Sequence, residues 1–132
     1  MHHLLKSHNP KKHVKSFFYA SRGLSHVFLN EANFRVHVVA TLLVSTLAYL
    51  LKFSAFEWIL LSFTVGFVLI LEIVNSLVEE MVDHLVQEHS ESARIVKDLG
   101  AAAVLLAALL SVFVGALLFI PKLIPYFHPA IS

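Results

Sequence analysis

Glu72, Asn75, Glu79 and Asp83 recur every three or four residues in the otherwise apolar stretch LEIVNSLVEEMVD. On a helix they fall within about 80° of one another, Ser76 shares their sector, and the stripe rises about 16 Å. Glu80 points off to the side. The stretch continues the uncharged run WILLSFTVGFVLIL with no glycine or proline between them. A carboxylate inside a membrane span costs about 2.5–3.5 kcal/mol, so each must be protonated, paired or bound to a cation. The basic groups expected at the same depth, Arg35, Arg94 and Lys97, are fewer than the acids Glu31, Glu72, Glu79, Asp83, Glu88 and Asp98. A divalent cation corrects that deficit. With oxygen donors and no cysteine in the chain, the hard-cation choice is magnesium, which takes one or two protein carboxylates and completes its shell with water and substrate phosphate. The pattern points to a nucleotide or phosphate substrate.

These residues must be carried by membrane helices. The chain has 132 residues, 58% of them hydrophobic and 14% charged, with a mean hydropathy of +0.77, which is too apolar for an ordinary soluble domain. Three runs reach the roughly 20 residues a bilayer requires: VHVVATLLVSTLAYLLKF, the run from Glu57 to Val78 headed by Trp58, and LGAAAVLLAALLSVFVGALLFI, which ends at Pro121. Gly100, Ala101, Ala102, Ala103, Ala107 and Ala108 give the third run a small-residue surface that lets another helix approach closely. The expected architecture is all-α and integral to the membrane. An amphipathic surface helix precedes three transmembrane helices that assemble as an oligomeric helical bundle.

The boundaries follow the composition. Residues 1–13 read as a basic, His-rich tail, 14–30 as the surface helix, 31–122 as the membrane domain with spans at about 34–53, 57–82 and 97–120, and 123–132 as a C-terminal tail. SFFYASRGLSHVFLNEANFR is amphipathic and lacks the core and cleavage site of a secretory signal, so the whole chain is expected to be mature protein. Basic residues cluster before the first span and between the second and third, which places the amino end and that loop in the cytoplasm. The acidic stripe then runs from inside the bilayer to the cytoplasmic surface.

Other chemistries find little support. The chain has no cysteine, so thiolate sites and disulfides are excluded. His84 and His89 stand five apart, a poor spacing for two ligands on one helix face. His37 reads as a hydrogen-bonded packing residue, and Glu80 and Asp83 also fit helix-end residues in the headgroup zone. Neither a G-x-x-x-x-G-K-[ST] loop nor a G-x-G-x-x-G turn occurs, so a bound nucleotide must be held by metal and scattered basic residues.

EIVNSLVEEMVD, followed fourteen residues after Asp83 by KDLGAAAVLL, resembles the motif pair of the prokaryotic diacylglycerol kinase and undecaprenol kinase family, and YASRGLSHVFLNEANFRVH resembles that family's surface helix and first span. The likeness extends from about Lys12 to Lys122. It implies a homotrimer of three-span subunits in the bacterial cytoplasmic membrane, with ATP, a lipid alcohol and the bilayer as partners and no nucleic acid. Carried over by position, Glu72 resembles the catalytic base that meets the lipid hydroxyl, and Asn75 the asparagine beside it. Glu31 and Glu79 resemble the carboxylates that hold Mg2+ on the ATP phosphates. Lys97 and Asp98 resemble the nucleotide-binding pair, and Lys12, Tyr19, Glu88, His89 and Ser90 fall at further ATP contacts.

Three positions depart from the pattern. Lys12 stands where arginine is common, which loses bidentate phosphate contact; Leu77 and Val96 replace small alanines next to the motifs, which puts close helix packing in question. The segments EW (Glu57, Trp58) and GALLFIPK resemble the undecaprenol kinase branch, with diacylglycerol as the alternative acceptor. Two rivals from other classes are an oligomeric ion or proton conduit that uses the acidic stripe as a relay, and an assembly subunit without activity.

Overall fold

The computed structural model describes the backbone of residues 10–86 and 90–127, and side chains from Val14 onward within them. Four helices follow one another: α1 (Pro10–Asn30), α2 (Ala32–Leu50), α3 (Ala55–Leu85) and α4 (Glu91–Phe127). The last three are each long and apolar enough to cross a membrane. The expected order of one N-terminal helix and three spans is present, and no strand occurs among the described residues.

Several helix ends differ from the expected spans, and three of them can be followed residue by residue. The first helix starts at Pro10 rather than at 14, because a proline's missing N–H costs nothing in a helix's first turn. The first span ends at Leu50 rather than at 53. Lys52 adopts a left-handed φ of 54°, Phe53 N donates to Ala48 O at 3.1 Å, and Lys52 N donates to Tyr49 O at 3.1 Å. This is a Schellman closure, with the buried Phe53 and Ala48 supplying its apolar contact. The fourth helix begins at Glu91 and runs through Pro121 and Pro125 to Phe127, so it does not stop at Pro121 and takes in much of the expected C-terminal tail. Each proline removes one i→i−4 bond and crowds the carbonyl four residues back, and long apolar membrane helices tolerate this.

The opposite end of α3 is fixed by a capping box. Ser54 Oγ accepts from Glu57 N at 3.4 Å, and Glu57 Oε2 accepts from Ser54 N at 2.7 Å. The same carboxylate lies 3.1 Å from Lys122 Nζ of α4, whose ammonium stands 5.6 Å from the centroid of the Phe53 ring. Phe53 packs in turn on Phe119 at 4.7 Å between centroids. Ala48, Phe53 and Leu61 form the small core here, with Trp58 and Leu118 packed against it.

Burial along α3 explains how the site is held. Its buried residues are Leu61, Val68, Glu72, Asn75 and Ser76, at helical spacing on one face. A single inward stripe is therefore apolar over one half of the helix and polar over the other. That stripe packs chiefly on α4, which contributes Val104 and Ala107. Ala101, Ala102 and Ala103 are exposed, so only part of the expected small-residue surface is used within the chain. Leu77 and Val96 also face outward, and the bulk they add stays clear of the α3–α4 contact. Among its described side chains α1 buries only Val27, and it exposes Phe17, Phe18, Leu24 and Leu29.

Candidate functional site

Glu31 interrupts the chain between α1 and α2 with an extended backbone, φ −96° and ψ 113°, and its side chain makes no capping bond. The carbonyls left over at the end of α1 are served by others. Arg35 Nη1 donates to Phe28 O at 3.2 Å and Leu29 O at 2.8 Å, and Asn30 Nδ2 donates to His26 O at 2.8 Å. The guanidinium expected to offset the acids is thus engaged with backbone, and the Glu31 carboxylate is left for other work.

Glu72 projects from α3 toward α2 with its side chain 4% exposed, and its Oε1 lies 3.1 Å from Nε2 of His37. No helical spacing connects positions 37 and 72, so this contact is not legible from residue spacing, and His37 reads there only as a hydrogen-bonded packing residue. The carboxylates of Glu31 and Glu79 are near enough to act electrostatically on Glu72. The α1–α2 break and two turns of α3 therefore place their carboxylates at the same end of the bundle.

One turn beyond Glu72, Asn75 Nδ2 donates to Glu79 Oε1 at 2.8 Å. Its Oδ1 is buried without a hydrogen-bond partner and lies against Gly100 of α4, where an added Cβ would collide with it. Gly100 is the position at which the α4 backbone rests on the amide that holds Glu79. Farther along, Lys97 Nζ donates to Asp83 Oδ1 at 2.8 Å and Oδ2 at 3.1 Å, which gives Asp83 a partner across the helix pair. Glu79 also acts on the Lys97 charge. Arg94 bonds Glu91 and, at 2.7 Å, Asp98.

The remaining expected contacts are placed differently. Ser90 Oγ accepts from Ala93 N at 3.1 Å and so caps α4. Tyr19 is exposed on α1, its ring 6.2 Å from that of Phe18. Lys12 lies in the first turns of α1, but its side chain, and all of Glu88 and His89, fall outside the described residues.

Charge bookkeeping over the described residues now has an address. Lys97 is bound to Asp83 and Arg94 to Glu91 and Asp98, whereas Glu31, Glu72 and Glu79 have no lysine or arginine ion pair among the described residues. No three His, Cys, Asp or Glu side chains among them are arranged to hold a metal ion. Two carboxylates short of cationic partners, and no closed protein cage, fit a magnesium ion that borrows the rest of its shell from water and phosphate.

Behind the acidic centre, an apolar cavity of about 470 Å³ lies between α2, α3 and α4. His37 and Thr41 line it near the acids, Leu61 and Phe119 line it toward the opposite end, and His37 is its one titratable lining residue.

Sequence comparison agrees with this geometry. Residues 18–119 match the family model for prokaryotic diacylglycerol kinase. Diacylglycerol kinase of Synechocystis sp. is 43% identical over 110 residues, which cover 83% of this chain and 63% of that protein, so the match spans less than two thirds of that relative. Undecaprenol kinase of Bacillus subtilis is 35% identical over 83% of this chain and 89% of its own length. Diacylglycerol kinase of Escherichia coli is 38% identical over 80% of this chain and 86% of its own length. The chain belongs to the prokaryotic diacylglycerol kinase family of membrane lipid kinases.

Proposed function

We propose that the chain transfers the γ-phosphate of ATP, as its magnesium complex, to the hydroxyl of undecaprenol at the cytoplasmic end of the bundle, giving undecaprenyl phosphate. The observation that carries this reading is that Glu31, Glu72 and Glu79 have no lysine or arginine partners among the described residues, while Glu72 contacts His37, which lines an apolar cavity. Phosphoryl transfer asks for alignment and charge neutralisation, and magnesium supplies the latter when bound.

Depth separates the roles. Counted from Ala55, where α3 begins, Glu72 lies about 26 Å along the helix and Glu79 about 36 Å. A hydrocarbon layer is about 30 Å thick. Glu72 is thus within reach of a lipid hydroxyl, and Glu79 within reach of a nucleotide arriving from water. Glu72 takes the hydroxyl proton as the lipid oxygen bonds to the γ-phosphorus; the bond from that phosphorus to the bridging oxygen breaks, and ADP leaves. Glu31 and Glu79 hold magnesium, Asn75 orients Glu79, and Lys97 with Asp98 meets the nucleotide. Lys12, Tyr19, Glu88, His89 and Ser90 are its further contacts. The working unit in this reading is a homotrimer in the bacterial cytoplasmic membrane.

Undecaprenol is named first because the segments that resemble its branch touch each other: Glu57 pairs with Lys122, and Phe119 packs on Phe53 beside Trp58. Diacylglycerol is the second reading, favoured by the names of the Synechocystis and Escherichia coli relatives. A conduit would need polar groups across the whole bilayer, yet Trp58 to Leu71 offers only Ser62 and Thr64, and the Thr64 hydroxyl is spent on Leu60 O at 2.6 Å.

The test is purified protein in lipid with labelled ATP and magnesium, offered both acceptors in competition. Phosphorylated undecaprenol is the expected product. A preference of about tenfold, worth about 1.4 kcal/mol in the transition state, fixes the acceptor, and no labelled lipid from either would overturn the kinase reading.

A further inference from the structure

We propose that His37, which lines the apolar cavity, is a positioning residue for Glu72, holding that carboxylate beside it so that one oxygen is left for the incoming hydroxyl. The inference rests on Glu72 being the base.

The contact itself is the first ground. A carboxylate with 4% side-chain exposure needs a partner, because an unpaired buried charge is costly. Among the described residues the partner of Glu72 is the His37 ring, at 3.1 Å. Nε2 meets Oε1, so Oε2 is the oxygen left to accept a substrate proton. Carboxylates have two equivalent oxygens and a soft terminal torsion, and a donor on one of them selects a single orientation.

Placement is the second ground. His37 lines the cavity as well as touching Glu72, and its side chain is 28% exposed, so one face of the ring meets the space a lipid chain would fill. Thr41, one turn on and also lining the cavity, donates to His37 O at 2.7 Å. Asn75 serves Glu79 instead, and the neighbouring carboxylates of Glu31 and Glu79 repel Glu72. Only the histidine can draw the carboxylate toward α2 and the cavity mouth. A purely structural histidine would stabilise the helix pair equally well with either oxygen in contact and would leave turnover indifferent to the donor's exact position.

The experiment uses the full chain in lipid vesicles and compares wild type with His37→Ala and His37→Gln, the second because a glutamine amide reaches about as far as Nε2 and keeps an N–H. Lipid phosphorylation is followed at saturating acceptor over a range of ATP concentrations up to saturation, and nucleotide binding is measured separately to show that each variant is folded. Displacing a reacting group by about 1 Å can cost about a hundredfold. The expected result is that His37→Ala lowers kcat by about ten- to a hundredfold with the KM for ATP within about twofold, and that His37→Gln restores most of the loss. Equal activity of His37→Ala and wild type, or a glutamine variant as slow as the alanine one while both bind nucleotide, overturns the proposal. Full turnover by Glu72→Gln would instead remove the base on which it rests, so the two failures are told apart.

Discussion

At the scale of single residues, the polar stripe of α3 divides into groups with different partners, and each partner predicts a different phenotype. Glu72 faces His37, which lines the cavity. Glu72→Gln should lower turnover by at least about a hundredfold, the scale of a lost general base, while nucleotide binding persists; parallel loss of both, seen by kinetics and by equilibrium binding, would refute its role as base. Among the described residues Glu79 is bonded only by the neutral Asn75 amide, which leaves its charge for a cation. Glu79→Gln should raise the magnesium concentration for half-maximal rate by about tenfold or more, since even an outer-shell partner of a metal is worth that much. A titration of rate against magnesium checks it. Asp83 has Lys97 as its partner, at 2.8 Å, with both side chains partly exposed. Such a pair adds less than about 1 kcal/mol to stability, but it holds in place a lysine that carries up to about 2 kcal/mol of rotamer entropy. The ammonium has a third N–H to offer a phosphate. Asp83→Asn should therefore raise the KM for ATP several-fold with kcat and thermal stability nearly unchanged, and an unaltered KM would mark the pair as a surface contact alone.

At the scale of helices, Gly100 is the point on which the site turns. An added Cβ there collides with Asn75 Oδ1, and Asn75 cannot retreat without releasing Glu79. Gly100→Ala should destabilise the helix pair by about 1–3 kcal/mol, as overpacking does, and should weaken magnesium dependence along with it. A melting shift without any change in magnesium response would separate packing from chemistry. Much of this level was legible in the sequence. Three apolar runs of bilayer length set the spans, and the three- and four-residue recurrence of Glu72, Asn75 and Glu79 set one face of α3. Contacts between helices were not legible, because no spacing rule links His37 to Glu72 or Glu57 to Lys122. Helix ends were legible only in part. The Ser54–Glu57 box has a sequence form, but the left-handed Lys52 gives no such sign, and Pro121 reads as a stop although α4 continues past it.

At the scale of the whole molecule, one chain buries little of its own apolar surface. Val27, Phe34, Ala48, Phe53, Leu61, Val68, Val104 and Ala107 are the buried hydrophobic residues among those described, whereas Phe63, Leu77, Leu105, Leu106, Val112 and Phe113 are each more than half exposed. Lipid can cover such faces as readily as protein, because hydrocarbon gives apolar helices no hydrophobic reason to associate. The small residues do give one: Ala101, Ala102 and Ala103 are exposed on α4 near the acidic end, where a neighbouring backbone could come close and gain dispersion contacts. Association at that end would also close the acidic site against water, and a drier site strengthens the charge interactions phosphoryl transfer depends on. Native mass measurement in mild detergent should therefore give a multiple of the 14.8 kDa chain, with three copies the expected number. Ala102→Leu, which places bulk on that exposed face away from Asn75 and Gly100, should shift the population toward single chains and lower activity in proportion. Full activity from a preparation that stays monomeric would show that one chain builds the whole site.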